Sequence, residues 1–235
     1  MTSPKLNWPK LKAMPPFHAF IHQGDFHLTQ GNKLAQEIGQ SSSWFAAKRE
    51  KMASKRALVV LAKGAEEMEA VISIDVLRRA KVDTVVAGLH GSEVVTCSRG
   101  VFVKPDISLE DVKKEMFDAV VLPGGLEGAQ NLAESSVVKE ILQSHEKDGK
   151  IVAAICAGPI AFATHGIGKG KKITSHPSVK EKFDGYSYQE QTVVTDNNMI
   201  TSRGPGTAFD FAFEVVNALC GEETVKEMKK PMLIN

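Results

Sequence analysis

The residue with the clearest chemical potential in this 235-residue chain is Cys156, at the centre of the sequence Ala-Ile-Cys-Ala-Gly. It follows the apolar run Ile151–Ile155, which predicts a buried strand, and it precedes a helical pattern over residues 158–165. A sharp strand-to-helix turn with small neighbours is typical of a nucleophile elbow, here with cysteine in place of serine. A position at a helix N-terminus predicts a lowered thiol pKa. The alternative is a buried cysteine that only packs as a small apolar side chain.

A second turn, Pro123-Gly124-Gly125, offers backbone donors that such a nucleophile needs. Glycine leaves the main-chain N–H groups of a turn free to face an anion. Together with the N–H of Ala157, the N–H of Gly125 could form an oxyanion hole beside the cysteine. The alternative is an ordinary turn that ends a strand.

Glu69 is the acidic residue best placed to exchange a proton with Cys156. It lies about one turn inside a helical pattern over Glu66–Ala80, so its side chain could face the edge of the sheet. A carboxyl group there could be protonated and donate to the thiolate, or act as a general acid and base. Glu66 and Glu67 are already explained by the favourable interaction of acidic side chains with a helix N-terminus.

Basic residues supply a further set of candidates. His176, followed by Pro177 and therefore biased to extended backbone, could be the general base for Cys156. The alternative is a histidine in a surface loop without a catalytic part. Arg203 could orient an anion. The alternative is that the glycines, the proline and the threonine around Arg203 only end a loop and cap the next helix. Arg99 could reach a partner subunit.

These candidates follow apolar runs that alternate with helical patterns. Strands are predicted at 57–62, 84–88, 118–122 and 151–155, hairpins at 93–103 and 192–202, and helices at 66–80, 135–146, 158–165, 207–219 and 222–229. Such alternation predicts an α/β sandwich on a mainly parallel sheet. Sites in these sheets lie beyond the C-terminal strand ends, so the turns after Ala62, Leu122 and Ile155 should converge.

Composition indicates which kinds of partner, compartment and domain organisation fit this chain. The formal net charge is +1, from 29 basic and 28 acidic residues, and it indicates neither a nucleic-acid nor a membrane partner. Three cysteines without paired spacing favour a reducing compartment, and no spacing suggests a metal site.

Residues 1–51 lack sustained periodicity and are predicted to be a mostly disordered extension, with a mitochondrial transit peptide as the alternative. Residues 52–235 are the predicted domain.

Five segments carry a resemblance to a known family: Ala53–Val59, Lys63–Glu69, Val121–Gly125, Ala153–Pro159 and Thr201–Thr207. Over residues 52–235 the chain resembles the ThiJ/PfpI superfamily, and within it the animal branch of Parkinson-associated protein deglycases. The resemblance implies a flavodoxin-like three-layer fold and a homodimer. It also implies a cytoplasmic location, with mitochondria and the nucleus as further sites.

For the site, the resemblance implies that Cys156 is the nucleophile and an oxidation-sensitive thiol. Glu69 would be its protonated partner, His176 a nearby histidine, and Gly125 and Ala157 the backbone donors. The implied activity is cofactor-free hydrolysis of methylglyoxal or glyoxal adducts on proteins or nucleotides, which releases a hydroxy acid and protects against oxidative stress. Implied partners are glycated proteins, small aldehyde adducts and client proteins.

Two other functions remain open from the sequence. In the first, the protein is a redox-sensing chaperone, and oxidation of Cys156 to sulfinic acid switches client or partner binding. In the second, it is a peptidase like distant members of the superfamily. Each alternative uses the same thiol.

Overall fold

The computed structural model describes residues 55–234, and the predicted extension over residues 1–51 lies outside this range. The strands are β1 Arg56–Leu61, β2 Asp83–Gly88, β3 Val95–Thr96, β4 Phe102–Val103, β5 Ile107–Ser108, β6 Ala119–Leu122, β7 Ile151–Ile155, β8 Lys172–Ile173, β9 Ser187–Tyr188, β10 Val193–Asp196 and β11 Met199–Ser202. Seven of them form one sheet in the order β10–β11–β7–β6–β1–β2–β5. Its strand pairs are parallel, apart from the antiparallel pair β10–β11.

Helices cover both faces of this sheet. They are α1 Glu67–Arg79, α2 Leu109–Val112, α3 Leu126–Glu134, α4 Ser136–Lys147, α5 Ile160–His165, α6 Ala208–Cys220 and α7 Glu222–Lys229, with 3-10 turns at Pro177–Lys182 and Pro205–Thr207. Apolar residues of α3, α4 and α5 pack on one face, and those of α1, α6 and α7 pack on the other. The chain therefore forms three layers.

Strand β1 illustrates why the sequence produces this arrangement. Successive side chains of a strand point to opposite faces of the sheet. Leu58 and Val60 accordingly lie in the core beneath α3 to α5, whereas Ala57 and Val59 lie in the core beneath α1 and α6. A strand covered on both faces must be apolar throughout, as this run is. The predicted α/β, flavodoxin-like fold with a mainly parallel sheet is confirmed.

The order of the strands also positions the functional turns. After β1 the chain adds β2 on one side and later returns to add β6 on the other side. Ligand crevices of open α/β sheets form at such a reversal of strand order, outside the C-terminal strand ends. The turns after β1, β6 and β7 therefore share one edge.

Helices α2, α3 and α5 differ from the sequence-based expectation, and the four-residue α2 was not predicted. Helix α3 was not predicted, because Gly128 inside it interrupts the helical pattern. That glycine is required by packing, since a Cβ atom at Gly128 would lie 2.8 Å from both N and Cα of Ala65. Helix α5 begins at Ile160, two residues later than expected, because tight turns occupy the chain from Ile155 to Pro159.

The described helices contain no candidate for a membrane span. None of the helices between residues 55 and 234 combines the length and apolar character that crossing a bilayer requires.

Candidate active site

The three strand-end turns meet so closely that their backbones determine the site. A Cβ atom at Gly124 would lie 2.6 Å from Cβ of Cys156 and 2.8 Å from Oε2 of Glu69. Gly125 has a φ of 82°, and a Cβ atom there would overlap the carbonyl oxygen of Gly64. Only glycine accommodates both the close approach and the left-handed backbone. The structure thus brings together the cysteine, the carboxyl group and the glycine turn that the sequence singled out.

Cys156 occupies a strained backbone conformation. Its φ is 63°, in the left-handed region that side chains other than glycine rarely adopt. The conformation is held by its N–H, which donates to the carbonyl oxygen of Ser202 at 3.0 Å, and by its own carbonyl, which accepts from His176 N–H at 2.8 Å. Strain of this kind is stored at functional turns and needs surrounding structure to maintain it. The predicted elbow geometry is present.

The helix that follows the elbow does not activate the thiol as expected. Helix α5 has six residues and starts four residues after Cys156, behind Pro159 at its N-cap. The effect of a helix dipole falls off within its first turn. Helix α5 is therefore too short and starts too far along the chain to lower the thiol pKa.

The predicted low pKa of Cys156 is wrong for the free thiol. Burial raises the pKa of Cys156 to about 12, and the negative charge of Glu69 beside it adds to this rise. The backbone N–H groups of Gly125 and Ala157 act in the opposite direction, because both hydrogen-bond the sulfur and favour its thiolate form. Burial and the carboxylate outweigh the effect of these two donors on the thiol pKa.

Burial raises the pKa of the Glu69 carboxyl group toward neutral pH. Its side chain is fully buried, and Oε2 accepts the N–H of Gly124 at 2.7 Å. Burial raises the pKa of Glu69 to about 7, while the hydrogen bonds from Gly124 and Cys156 limit the rise. Oε1 is buried and has no hydrogen-bond partner among residues 55–234. The carboxyl group can therefore gain or lose a proton near neutral pH.

The two groups are best treated as a pair that shares protons. Burial and the proximity of the two groups raise the pKa of both, so the pair releases its two protons in separate steps and retains one proton between them. That proton can lie on Cys156, or it can move to Glu69 and leave a thiolate. The move removes the carboxylate charge that opposed the thiolate, and the donors Gly125 and Ala157 then stabilise the sulfur anion. The arrangement supports a nucleophile that is generated by proton transfer within the site.

A cavity of about 340 Å³ opens over the sulfur and is large enough for a small organic molecule. It is lined by Glu66, Ser98, Arg99, Gly125, Leu126, Cys156, Ala157, His176, Ser178, Val179 and Pro205. Ser98, Arg99 and Leu126 were not predicted as lining residues. They reach the cavity from the β3–β4 hairpin and from α3, whose placement no local pattern reveals.

Residues 55–218 match the DJ-1/PfpI family. The chain belongs to the DJ-1/PfpI family. The Parkinson disease protein 7 homolog of Danio rerio is 54% identical over 187 residues, which are 78% of this chain and 99% of that protein. The glutathione-independent glyoxalase DJR-1.2 of Caenorhabditis elegans is 40% identical and covers 77% of this chain and 98% of its own length.

Solved structures of the family share the same architecture. DJ-1beta of Drosophila melanogaster superposes with a TM-score of 0.76 at 52% identity, over 77% of this chain and 99% of its own. Oxidized DJ-1 of Toxoplasma gondii superposes with a TM-score of 0.73 at 36% identity, over 77% of this chain and 99% of its own.

In this member of the DJ-1/PfpI family, His176 lines the cavity without contacting the sulfur through a hydrogen bond. Its backbone N–H holds the carbonyl of Cys156, and its ring Nδ1 lies 2.7 Å from Oγ of Ser178. Nδ1 also accepts the N–H of Ser178 at 3.2 Å, which is a helix-capping contact. The geometry therefore favours Glu69 over His176 as the proton partner of Cys156.

The remaining candidates have simpler roles. Arg203 donates to the backbone carbonyl of Glu190 at 3.4 Å, and its own N–H bonds to Thr207, which fits a loop and cap role. Arg99 lines the cavity of its own chain. Within residues 55–234, no group of three or more histidine, cysteine or acidic side chains could hold a metal ion.

Proposed function

We propose that this protein is a cofactor-free hydrolase that converts methylglyoxal or glyoxal, free or bound as adducts, into hydroxy acids. The proposal depends on one observation, the fully buried carboxyl group of Glu69 that meets Cys156 at the Gly124 turn, next to the cavity that Cys156 lines. A nucleophile and a proton carrier with a pKa near the working pH are what such a reaction requires. The glyoxalase named among the relatives supports a reaction of this class.

The chemistry balances without any further reagent. Glu69 takes the proton of Cys156, and the sulfur attacks the aldehyde carbon of methylglyoxal to form a hemithioacetal. Glu69 returns its proton to the developing oxyanion, close to the N–H groups of Gly125 and Ala157. The hydrogen of the former aldehyde carbon then moves to the neighbouring ketone carbon through an enediol, which leaves a thioester of lactate. Water cleaves the thioester, so one methylglyoxal and one water yield one lactic acid and the free thiol.

An adduct enters the same sequence by exchange. When methylglyoxal is bound to another thiol as a hemithioacetal, Cys156 takes over the aldehyde carbon and the other thiol leaves with a proton. The cavity of about 340 Å³ is open on one side, which allows the carrier of the adduct to remain outside. Glycated proteins and small aldehyde adducts are therefore the proposed substrates.

Lactate release by purified protein tests the proposal. Wild type, Cys156→Ser and Cys220→Ser should be prepared in parallel and incubated with methylglyoxal and with its N-acetylcysteine hemithioacetal. We expect lactate from the wild type and from Cys220→Ser, and none above background from Cys156→Ser. Equal lactate release by Cys156→Ser would show that the activity does not come from this site, and the proposal would be wrong.

A redox sensor is the second candidate, because the same donors suit an oxidised sulfur. Gly125 and Ala157 N–H groups, together with a protonated Glu69, can bond the oxygens of a sulfinic acid. The solved structure of T. gondii DJ-1 is of the oxidized protein, which supports this second candidate. Mass spectrometry after mild peroxide should then find sulfinic acid at Cys156, with Cys97 and Cys220 spared. Equal oxidation of all three cysteines would contradict a sensor at this position.

A homodimer is part of the proposal. Helix α1 exposes Met68 and Val71, and the β4 segment exposes Phe102, of which 70% is accessible in the single chain. Exposed apolar side chains of this size commonly mark an interaction surface. Light scattering of the purified protein should give twice the chain mass, and Val71→Glu should shift it toward the monomer.

A further inference from the structure

The tip of the β3–β4 hairpin is held over the cavity by Glu67, a carboxylate that takes no part in the proposed chemistry. Oε2 of Glu67 accepts the hydroxyl of Ser98 at 2.7 Å. Oε1 accepts the backbone N–H of Arg99 at 2.7 Å and that of Val101 at 3.4 Å. The side chain is buried, with 7% of its surface exposed. One carboxylate thus joins the start of α1 to three residues of the hairpin tip, Ser98, Arg99 and Val101.

Apart from Glu67, the hairpin is held by the buried side chain of Cys97, with Val95 and Val103 packed beside it, and by a few backbone hydrogen bonds. Strands β3 and β4 have two residues each, and they pair with one another outside the main sheet. A two-stranded hairpin is at best marginally stable alone. Backbone hydrogen bonds from Gly64 to Thr96 and from Ser98 to Ala65 fasten its first half. In residues 99–101, Gly100 N–H donates to the carbonyl oxygen of Cys97 and Val101 accepts from Cys97 N–H, while the N–H groups of Arg99 and Val101 donate to the carboxylate.

Glu67 is charged when it makes these contacts. Burial opposes the ionised form, but hydrogen bonds from Ser98, from its own N–H, and from Arg99 and Val101 outweigh it, and the pKa of Glu67 lies below its ordinary value. Hydrogen bonds to an ionised acceptor are about twice as strong as those between neutral groups. The contact is therefore a set of charge-assisted hydrogen bonds that fasten the tip to the start of α1.

We infer that Glu67 is a positioning residue that fixes Ser98 and Arg99 as one wall of the cavity and so limits the size of the molecules that reach Cys156. The wall formed by Ser98 and Arg99 belongs to the same cavity as the sulfur, His176 and Leu126. The functional consequence rests on the proposed role of Cys156. The part that Glu67 plays in placing the wall is argued from its hydrogen bonds and does not depend on the proposed function.

Chemical modification of Cys156 tests whether Glu67 keeps the wall in place, and it requires no substrate turnover. The rates for a bulky fluorescein maleimide and for iodoacetamide should be measured by mass spectrometry of the peptide that contains Cys156. In Glu67→Ala, which removes both acceptor oxygens, we expect the ratio of the bulky to the small reagent to rise about tenfold. Glu67→Gln should retain a ratio near that of the wild type, because its amide oxygen can accept from Arg99 and Val101 while its NH₂ donates to Ser98. Glu127→Ala, which removes an exposed carboxylate paired with Lys63, is the matched control and should leave the ratio unchanged.

Hydrogen exchange identifies the segment that moves. The peptide that contains residues 98–102 should lose protection in Glu67→Ala and keep it in Glu67→Gln. A peptide from β7 should exchange equally in all variants. If Glu67→Ala fails to fold, Ser98→Ala removes one of the three contacts and should raise the reagent ratio about threefold. An unchanged ratio in the variants that fold would overturn the inference.

The kinetic constants of lactate release test whether the wall affects substrate binding. For lactate release from the hemithioacetal, Glu67→Ala should raise KM while kcat stays within about twofold, because binding is lost and the reacting groups are retained. A fall in kcat with unchanged KM would show that Glu67 acts on the chemistry, and the positioning role would be wrong. Absence of lactate from the wild type would remove the proposed function, whereas the reagent ratio would still decide whether Glu67 holds the wall.

Discussion

Oε2 of Glu69 accepts the N–H of Gly124 at 2.7 Å, within the turn that also places Gly125 N–H against the sulfur of Cys156. One buried carboxyl group therefore supports the turn that carries a donor to the sulfur, and in the proposed mechanism it also exchanges a proton with the same sulfur.

The shared proton predicts a pH dependence of activity. With the pKa of Glu69 near 7, the pair loses its first proton near that pH, and the form that can generate a thiolate accumulates above it. We expect kcat/KM for methylglyoxal to rise with pH and to level off above an apparent pKa of about 7. Glu69→Gln preserves the acceptor for Gly124 but cannot take up the proton. It should lower kcat/KM by about 10² to 10⁴ and abolish the step near neutral pH.

A stability measurement is the control for this substitution. The folded state raises the pKa of Glu69 from 4.5 to about 7, so folding takes up a proton between these values and stability falls as the pH rises through this range. In Glu69→Gln the urea unfolding free energy should show less of this fall. A pH–activity step that persists in Glu69→Gln would assign the titration to another group.

The strained backbone of Cys156 predicts a conflict between stability and function. Its φ of 63° disfavours every side chain except glycine. Cys156→Gly should therefore be inactive yet more stable than Cys156→Ala by about 1 kcal/mol in urea unfolding, because the left-handed backbone is relieved. A Cys156→Gly variant that is less stable than Cys156→Ala would show that the turn is not strained.

The close approach at Gly124 predicts that a single methyl group disrupts the site. In Gly124→Ala the new Cβ would meet Cys156 Cβ at 2.6 Å and Glu69 Oε2 at 2.8 Å, so these groups must separate. We expect a loss of about 1–3 kcal/mol in stability from overpacking and a loss of lactate release. Gly206→Ala is the matched control, since a Cβ atom there meets no heavy atom within 4 Å. Normal activity of Gly124→Ala would contradict the packing described here.

The burial of a neutral His145, away from the candidate active site, predicts that the protein loses stability in acid. It is 1% exposed, its Nε2 accepts the N–H of Phe117 at 3.0 Å, and its Nδ1 lies 2.7 Å from the carbonyl oxygen of Ile141. A donor must lie on Nδ1 and an acceptor on Nε2, so the ring is neutral. Burial lowers the pKa of His145, while the nearby carbonyl and Asp148 oppose this and Lys150 adds to it.

The sign of the effect follows from proton uptake by the unfolded chain. Below its ordinary pKa of about 6.5 the unfolded histidine binds a proton that the folded one resists, so stability falls as the pH decreases from there toward the lowered folded pKa. Urea unfolding from pH 7.5 to 5 should show a smaller acid loss for His145→Gln than for the wild type. His90→Gln, at an exposed loop position, should behave like the wild type.

Local sequence patterns determined the fold and the identity of the central residues. Continuous apolar runs predicted the buried parallel strands, because a strand covered on both faces has to be apolar. Small residues around Cys156 and the glycines after Leu122 predicted sharp turns, because only small residues fit where backbones approach. The position of Glu69 one turn into a helix was enough to suggest a carboxyl group at the same edge.

The tertiary structure alone decided how these groups behave. The pKa values of Cys156 and Glu69 depend on burial and on mutual contact, which no spacing reveals, and for this reason the expectation of a low thiol pKa was wrong. The same holds for His176, whose ring bonds to Ser178, and for the hairpin tip on Glu67, thirty-odd residues distant in the chain. Local pattern reports which residues can form strands, helices and turns, whereas solvation, charge and contact arise only when distant segments are packed together.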